Sequence, residues 1–157
     1  MERMIVEGMR MNKKIDKKRL YRYRELKCEI VDEIERLNLK KEEMSKIPSP
    51  KISDMPRSQR KFDKLSLVID EKNQIEKHLE TLAVKEQKER KIITAKLSEL
   101  TDAQHKRIIR LYFFDLYEWP EVNKIMFGHE ADFSIQENTK YIHKTYKICA
   151  AAIRNLK

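Results

Sequence analysis

The chain has 157 residues, with 35 Lys+Arg against 26 Asp+Glu, a formal charge of +9, and only 2 Gly and 4 Pro. Two glycines cannot serve the turns of a many-stranded sheet or a Gly-rich phosphate loop. No run of roughly 18 apolar residues exists to span a membrane, and the start, MERMIVEGMRMNKK, lacks the apolar core of a secretory signal. Lys, Glu, Leu and Ile dominate, which predicts long helices and an all-α fold. Cys28 and Cys149 have no CxxC or metal-ligand spacing, so a reduced, cytoplasmic protein is expected.

Residues 1–12 have no periodic pattern and hold several methionines, so they are expected to be a disordered or non-native start. A basic helix is predicted over 13–44, with Tyr23, Leu26, Ile30, Ile34 and Leu37 on one face. The stretch 45–60 carries three prolines within nine positions, Pro48, Pro50 and Pro56, and predicts a linker. A second long helix is predicted over 61–99. Leu65, Val68, Ile75, Leu79, Leu82 and Ile93 fit one heptad seam there, interrupted by Lys72, Glu86 and Glu89. A helix with so narrow an apolar stripe needs a partner. Either the first helix folds back on it as a long charged hairpin, or a second copy of the chain pairs with it as a coiled coil.

The composition changes after Leu100, and residues 100–157 are expected to form a helix-turn-helix unit. Thr101 with Gln104 has the spacing of a capping box that opens a third helix. Its body, Ile108 to Tyr117, is apolar almost all round and should lie at the centre of a small domain. Trp119-Pro120-Glu121 starts a fourth, short helix, with Val122, Ile125 and Met126 inward and Gly128 placed to end it in a left-handed turn. Ser134 with Glu137 suggests a second capping box and a last helix running to about Leu156. Its inner face is predicted as Ile142, Tyr146, Cys149, Ile153 and Leu156. The expected core of the unit is Leu111, Tyr112, Trp119, Val122, Ile125, Ile142 and Tyr146.

The excess charge is concentrated at the two ends. Residues 10–27 hold nine basic and two acidic residues, and 138–157 hold five basic and none acidic. Residues 61–100 are near neutral, and 102–137 hold four basic against seven acidic. A buried helix, a short helix, a turn and a longer basic helix is the order of a helix-turn-helix DNA-binding unit. The residues expected to meet duplex DNA are Gln136, Asn138, Thr139, Lys140, His143, Lys144 and Lys147. Asn and Gln suit adenine edges, while Lys suits guanine or phosphate. Lys13, Lys14, Lys17, Lys18 and Arg22 repeat at helical spacing and form a second basic stripe. That stripe could meet DNA phosphates, meet an acidic surface of RNA polymerase, or simply be solvated. His78, His105, His129 and His143 are scattered without ligand spacing, no nucleophile elbow is present, and no metal, cofactor or enzymatic activity is expected.

Leu100-Thr101-Asp102-Ala103-Gln104, followed by Arg107-Ile108-Ile109-Arg110-Leu111-Tyr112-Phe113, resembles the entry to region 4 of sigma-70-type factors. Trp119-Pro120-Glu121-Val122-Asn123-Lys124-Ile125 resembles that family's second helix. The closer resemblance is to phage-encoded sigma-like proteins, the ArpU-like and RinA-like late transcription regulators. Their charged helix, Met-Pro-Arg segment and Asp-Lys-Leu helix start are matched by Met55-Pro56-Arg57 and Asp63-Lys64-Leu65. The resemblance spans about 13–157 and implies a phage transcriptional regulator in the host cytoplasm that binds duplex DNA, with RNA polymerase and a second copy as further partners. The sequence departs from the family at Gly128-His129-Glu130-Ala131-Asp132-Phe133, a longer and more acidic turn, and at Ala150-Ala151-Ala152, which lengthens the last helix. A second expectation is a DNA-packaging adaptor with the general plan of small terminase subunits, oligomerising through its long helices and binding DNA with little sequence choice.

Overall fold

The computed structural model describes residues 15–48, 59–134 and 139–156. Every regular element among them is helical. In chain order these are α1 (Lys17–Lys46), α2 (Gln59–Glu99), α3 (Ala103–Ile109) with a π-helical turn at Arg110–Phe114, α4 (Trp119–Phe127) and α5 (Thr139–Asn155). No helix among the described residues is long and apolar enough to cross a membrane. The expected disordered start (1–12) and most of the linker (49–58) lie outside the described residues.

The chain divides into two compact units. One unit joins the residues up to Glu25 with Lys88–Lys157, and the other is Leu26–Gln87. Both long helices contribute to both units.

In Leu26–Gln87, α1 and α2 run antiparallel. The His78 ring lies 3.4 Å from Glu29 and the Lys40 ammonium 2.5 Å from Glu71, so residue numbers rise on one helix as they fall on the other. The predicted α2 seam is observed: Val68, Ile75 and Leu82 are buried, and Leu65, Lys72, Leu79 and Glu86 are half-buried, with mostly exposed residues between. The α1 face differs from the predicted one. Leu26, Ile30, Leu37, Lys40 and Met44 are half-buried, but Glu33 sits in the seam and Ile34 is exposed. Steps of 4, 3, 4, 3 and 4 from Leu26 hold the 3.5-residue repeat that keeps a face against a partner, and Ile34 falls outside it. Glu33 is 8% exposed and is bonded 2.5 Å from the exposed Arg36 guanidinium. A carboxylate there is costlier than a hydrocarbon of similar size. Glu33→Leu is therefore expected to stabilise this helix pair by about 1 kcal/mol, read as a higher urea midpoint by circular dichroism. A lower midpoint would show that the Glu33 charge holds the pair together.

The other unit surrounds one apolar core. Leu20 and Tyr23 of α1, Ile93 and Leu97 of α2, Ile108 and Ile109 of α3, Phe113 of the π turn, Val122 and Phe127 of α4, and Ala152 of α5 are all nearly inaccessible. Asp16 starts α1 by accepting the Arg19 N–H at 2.8 Å. The cap of α3 is Asp102 rather than Thr101, because its carboxylate accepts from the N–H groups of Gln104 and His105. Glu118 and Glu121 form a reciprocal capping box at α4, with Pro120 inside the first turn where its missing donor costs nothing.

The third helix ends sooner than its apolar run suggested. After the π turn, Leu116 takes a left-handed φ of 61°. That conformation costs a non-glycine residue about 1–2 kcal/mol and persists only where neighbours impose it. The Arg24 guanidinium supplies that constraint by donating to the Tyr112 and Tyr117 carbonyls and pairing with Glu118 at 2.5 Å. Gly128 was expected to end α4 in a left-handed turn, yet its φ is −63°. A glycine suits the position because of a close approach instead: a Cβ there would lie 2.4 Å from the Lys124 carbonyl oxygen.

Candidate nucleic-acid interface

Helix α5 carries no acidic residue over Thr139–Asn155. Its buried side is Tyr141, Thr145, Cys149 and Ala152, continued by Leu156, and it packs on α3 and α4. The predicted inner face is thus rotated. Tyr146 is 44% exposed, and Ile142 and Ile153 are half-buried. Thr145 and Ala152 are small enough for α3 and α4 to approach closely, so their side turns inward and the larger Tyr146 is displaced. The Thr145 hydroxyl also donates to the Tyr141 backbone carbonyl at 2.8 Å and lies 3.0 Å from the Asn123 side-chain carboxamide oxygen. Of the other expected core residues, Tyr112 and Val122 are buried, while Leu111, Trp119 and Ile125 are half-buried. The Trp119 ring stacks on Tyr112 at 4.0 Å and meets Tyr146 edge-on at 4.9 Å. Cys149, at the base of α5, has its thiol pushed up to about 11 by burial and stays neutral at ordinary pH.

The residues predicted to meet DNA are brought together in part. Thr139, Lys140, His143, Lys144 and Lys147 are all exposed on α5, whereas Gln136 and Asn138 lie outside the described residues. Arg154 is seven residues beyond Lys147, two turns along the same exposed face, and extends it. That i, i+7 spacing was visible in the sequence. The Lys144 ammonium sits 4.8 Å from the centre of the Phe127 ring, which holds it at the edge of this face nearest α4.

The acidic turn after α4 bears directly on the interface. Asp132 accepts from the Tyr141 hydroxyl and from the Lys140 ammonium, the latter at 3.0 Å. The Tyr141 hydrogen bond and then the Lys140 charge hold the Asp132 carboxyl below its ordinary range, and the same contact pushes Tyr141 up to about 12. The pair therefore persists at neutral pH. The Asp132 contribution is present above the unfolded carboxylate value of about 4 and is lost as pH falls through the lowered folded value. The Tyr141 contribution is complete below about 10 and is lost as pH rises through about 12. Tyr21, pushed up to about 12 mainly by burial, titrates late for a different reason. In an alkaline absorbance titration, Asp132→Asn is expected to return Tyr141 toward about 10 and so to lower the number of late-ionising tyrosines by one. An unchanged number in the variant would mean that Asp132 does not govern Tyr141.

The second basic stripe belongs to the same compact unit. Lys17, Lys18 and Arg22 are exposed on α1, and Lys13 and Lys14 lie outside the described residues. Arg24, one of the nine basic residues of 10–27 but not of this stripe, has its guanidinium turned inward, 4.1 Å from the Tyr112 ring centre. Among the described residues no group of three or more His, Cys, Asp or Glu side chains is arranged to hold a metal ion. Compared with protein-family models, curated proteins and solved structures, the chain matches none.

Proposed function

We propose that the chain is a transcriptional regulator of the sigma-70 region 4-like, phage-encoded kind. It binds duplex DNA through α3, α4 and α5 as a helix-turn-helix unit, with α5 as the recognition helix. The observation that carries this reading is the acid-free outer face of α5, where Lys140, His143, Lys147 and Arg154 project from a core that the opposite face fills. A rigid helix with fixed cations suits a groove bounded by phosphates. The α1–α2 pair of the other unit serves as a coiled coil for dimerisation or for contact with RNA polymerase, in the host cytoplasm.

A second reading, the DNA-packaging adaptor, is favoured by one observation. Val31 and Leu39 on α1, with Leu67 and Val84 on α2, remain 44–65% exposed in Leu26–Gln87, and further copies of the chain could cover them.

Selection of bound fragments from phage and host DNA, with the particle mass measured in parallel, tests both. A regulator is expected as a monomer or dimer that enriches a promoter site. A large ring that binds most duplexes alike selects the adaptor, and no duplex binding at any salt rejects both.

A further inference from the structure

Beside the outer face of α5, and sharing Arg154 with it, lies an open groove of about 740 Å³ bounded by the starts of α1 and α4 and by the second half of α5. Its walls are aromatic: Trp119, half-buried, and Tyr146, 44% exposed and edge-on to it. Cys149 and Ile153 provide an apolar base, and the raised thiol pKa keeps that base uncharged. Two exposed cations flank it, Lys17 from α1 and Arg154 from α5. The Lys17 ammonium stands 5.8 Å from the centre of the Tyr21 ring, another lining residue. None of the described residues lining the groove carries a carboxylate. Aromatic and aliphatic surface, flanked by cations with no carboxylate among the described lining residues, is a mismatch that an amphipathic anion removes. Its apolar body covers the surface, and its anionic head takes the charge.

The dimensions favour a small molecule over a partner helix. From Tyr146 to Arg154 the groove follows nine residues of α5, whose eight rises of 1.5 Å span roughly 12 Å. That length suits a short acyl chain or a fused aromatic body and is too short for the three or four turns of a docked helix. The volume lies within the range usual for small-ligand pockets. Stacked nucleobases fit less well, because Tyr112 already covers one face of Trp119.

We propose that this groove binds a small amphipathic carboxylate, with Trp119, Tyr146 and Ile153 holding its apolar part and Lys17 and Arg154 its carboxylate. The proposal stands whether or not α5 binds DNA. Because Arg154 belongs both to the groove and to the outer face of α5, a bound carboxylate would also withdraw one cation from that face.

The chain has a single tryptophan, so its emission reports this site alone. Laurate, titrated below its micelle concentration into the full-length protein, is expected to shift Trp119 emission saturably. Lys17→Ala with Arg154→Ala should weaken laurate at least tenfold while leaving dodecanol, which has the same chain without the charge, unchanged. Ile153→Glu should abolish the binding of both with an unchanged melting curve. If Ile153→Glu unfolds the unit, Tyr146→Ala provides the same test from the exposed wall. The proposal is overturned if laurate leaves the emission unmoved, if laurate and dodecanol bind alike before and after removal of the cations, or if only an oligothymidylate or an acidic peptide produces the shift.

Discussion

Phe113→Ala is expected to destabilise the core unit by about 3–5 kcal/mol. The ring is fully buried and lies edge-on to Tyr21 at 5.3 Å and to Tyr112 at 4.9 Å. It belongs to the cluster to which all five helices contribute. A truncated side chain there loses its own transfer free energy and also leaves a cavity. Residues held from so many directions cannot collapse into that cavity without giving up contacts elsewhere. The loss should appear as a lower urea midpoint in Trp119 fluorescence, since the indole is stacked on Tyr112, the neighbour of Phe113. Phe113→Leu keeps most of the volume and should cost markedly less. An unchanged midpoint for Phe113→Ala would mean that the centre of the core lies elsewhere.

The other large expected effect is on DNA. Lys140→Ala with Lys144→Ala and Lys147→Ala is expected to weaken duplex binding and to lower the slope of log affinity against log salt by roughly 2.7, if each lysine meets one phosphate. All three side chains are exposed, and alanine favours the helix, so the fold should survive. The contributions are not expected to be equal. Lys140 is already paired with Asp132, so it must give up that carboxylate to reach a phosphate, and removing it alone should cost less than removing Lys147. Unchanged affinity and slope in the triple variant, with helicity intact, would remove α5 as the DNA surface.

Much of the architecture could be read from the residues before any packing was known. The long helices follow from apolar spacing on charged segments, and the α2 seam was legible because Leu65, Val68, Ile75, Leu79, Leu82 and Ile93, with Lys72, Glu86 and Glu89 between them, keep one repeat of alternating threes and fours, which Leu67, Ile69 and Val84 do not share. Pro120 with Glu121 marked the start of α4 by simple local chemistry. Other features could not be read this way. Either Glu33 or Ile34 satisfies a helical repeat after Ile30, and hydrophobicity favours Ile34; the 3.5-residue repeat imposed by α2 selects Glu33. Tyr146 and Thr145 are likewise adjacent members of two faces of α5 that both contain apolar residues. The close approach of α3 and α4 decides between them in favour of the smaller side chain.

The candidate interface divides in the same way. By itself the sequence determined that the chain is helical, that basic residues gather at its two ends and that the last helix carries no acid, because composition and local periodicity are properties of the chain at short range. Only the tertiary structure decided which side of α5 faces outward, that Arg24 is turned inward to hold a strained Leu116, that Asp132 takes up Lys140, and that Lys17 and Arg154 flank one groove. Each of these depends on residues from 8 to more than 130 positions apart, and only the packing of the helices brings such residues within reach of one another.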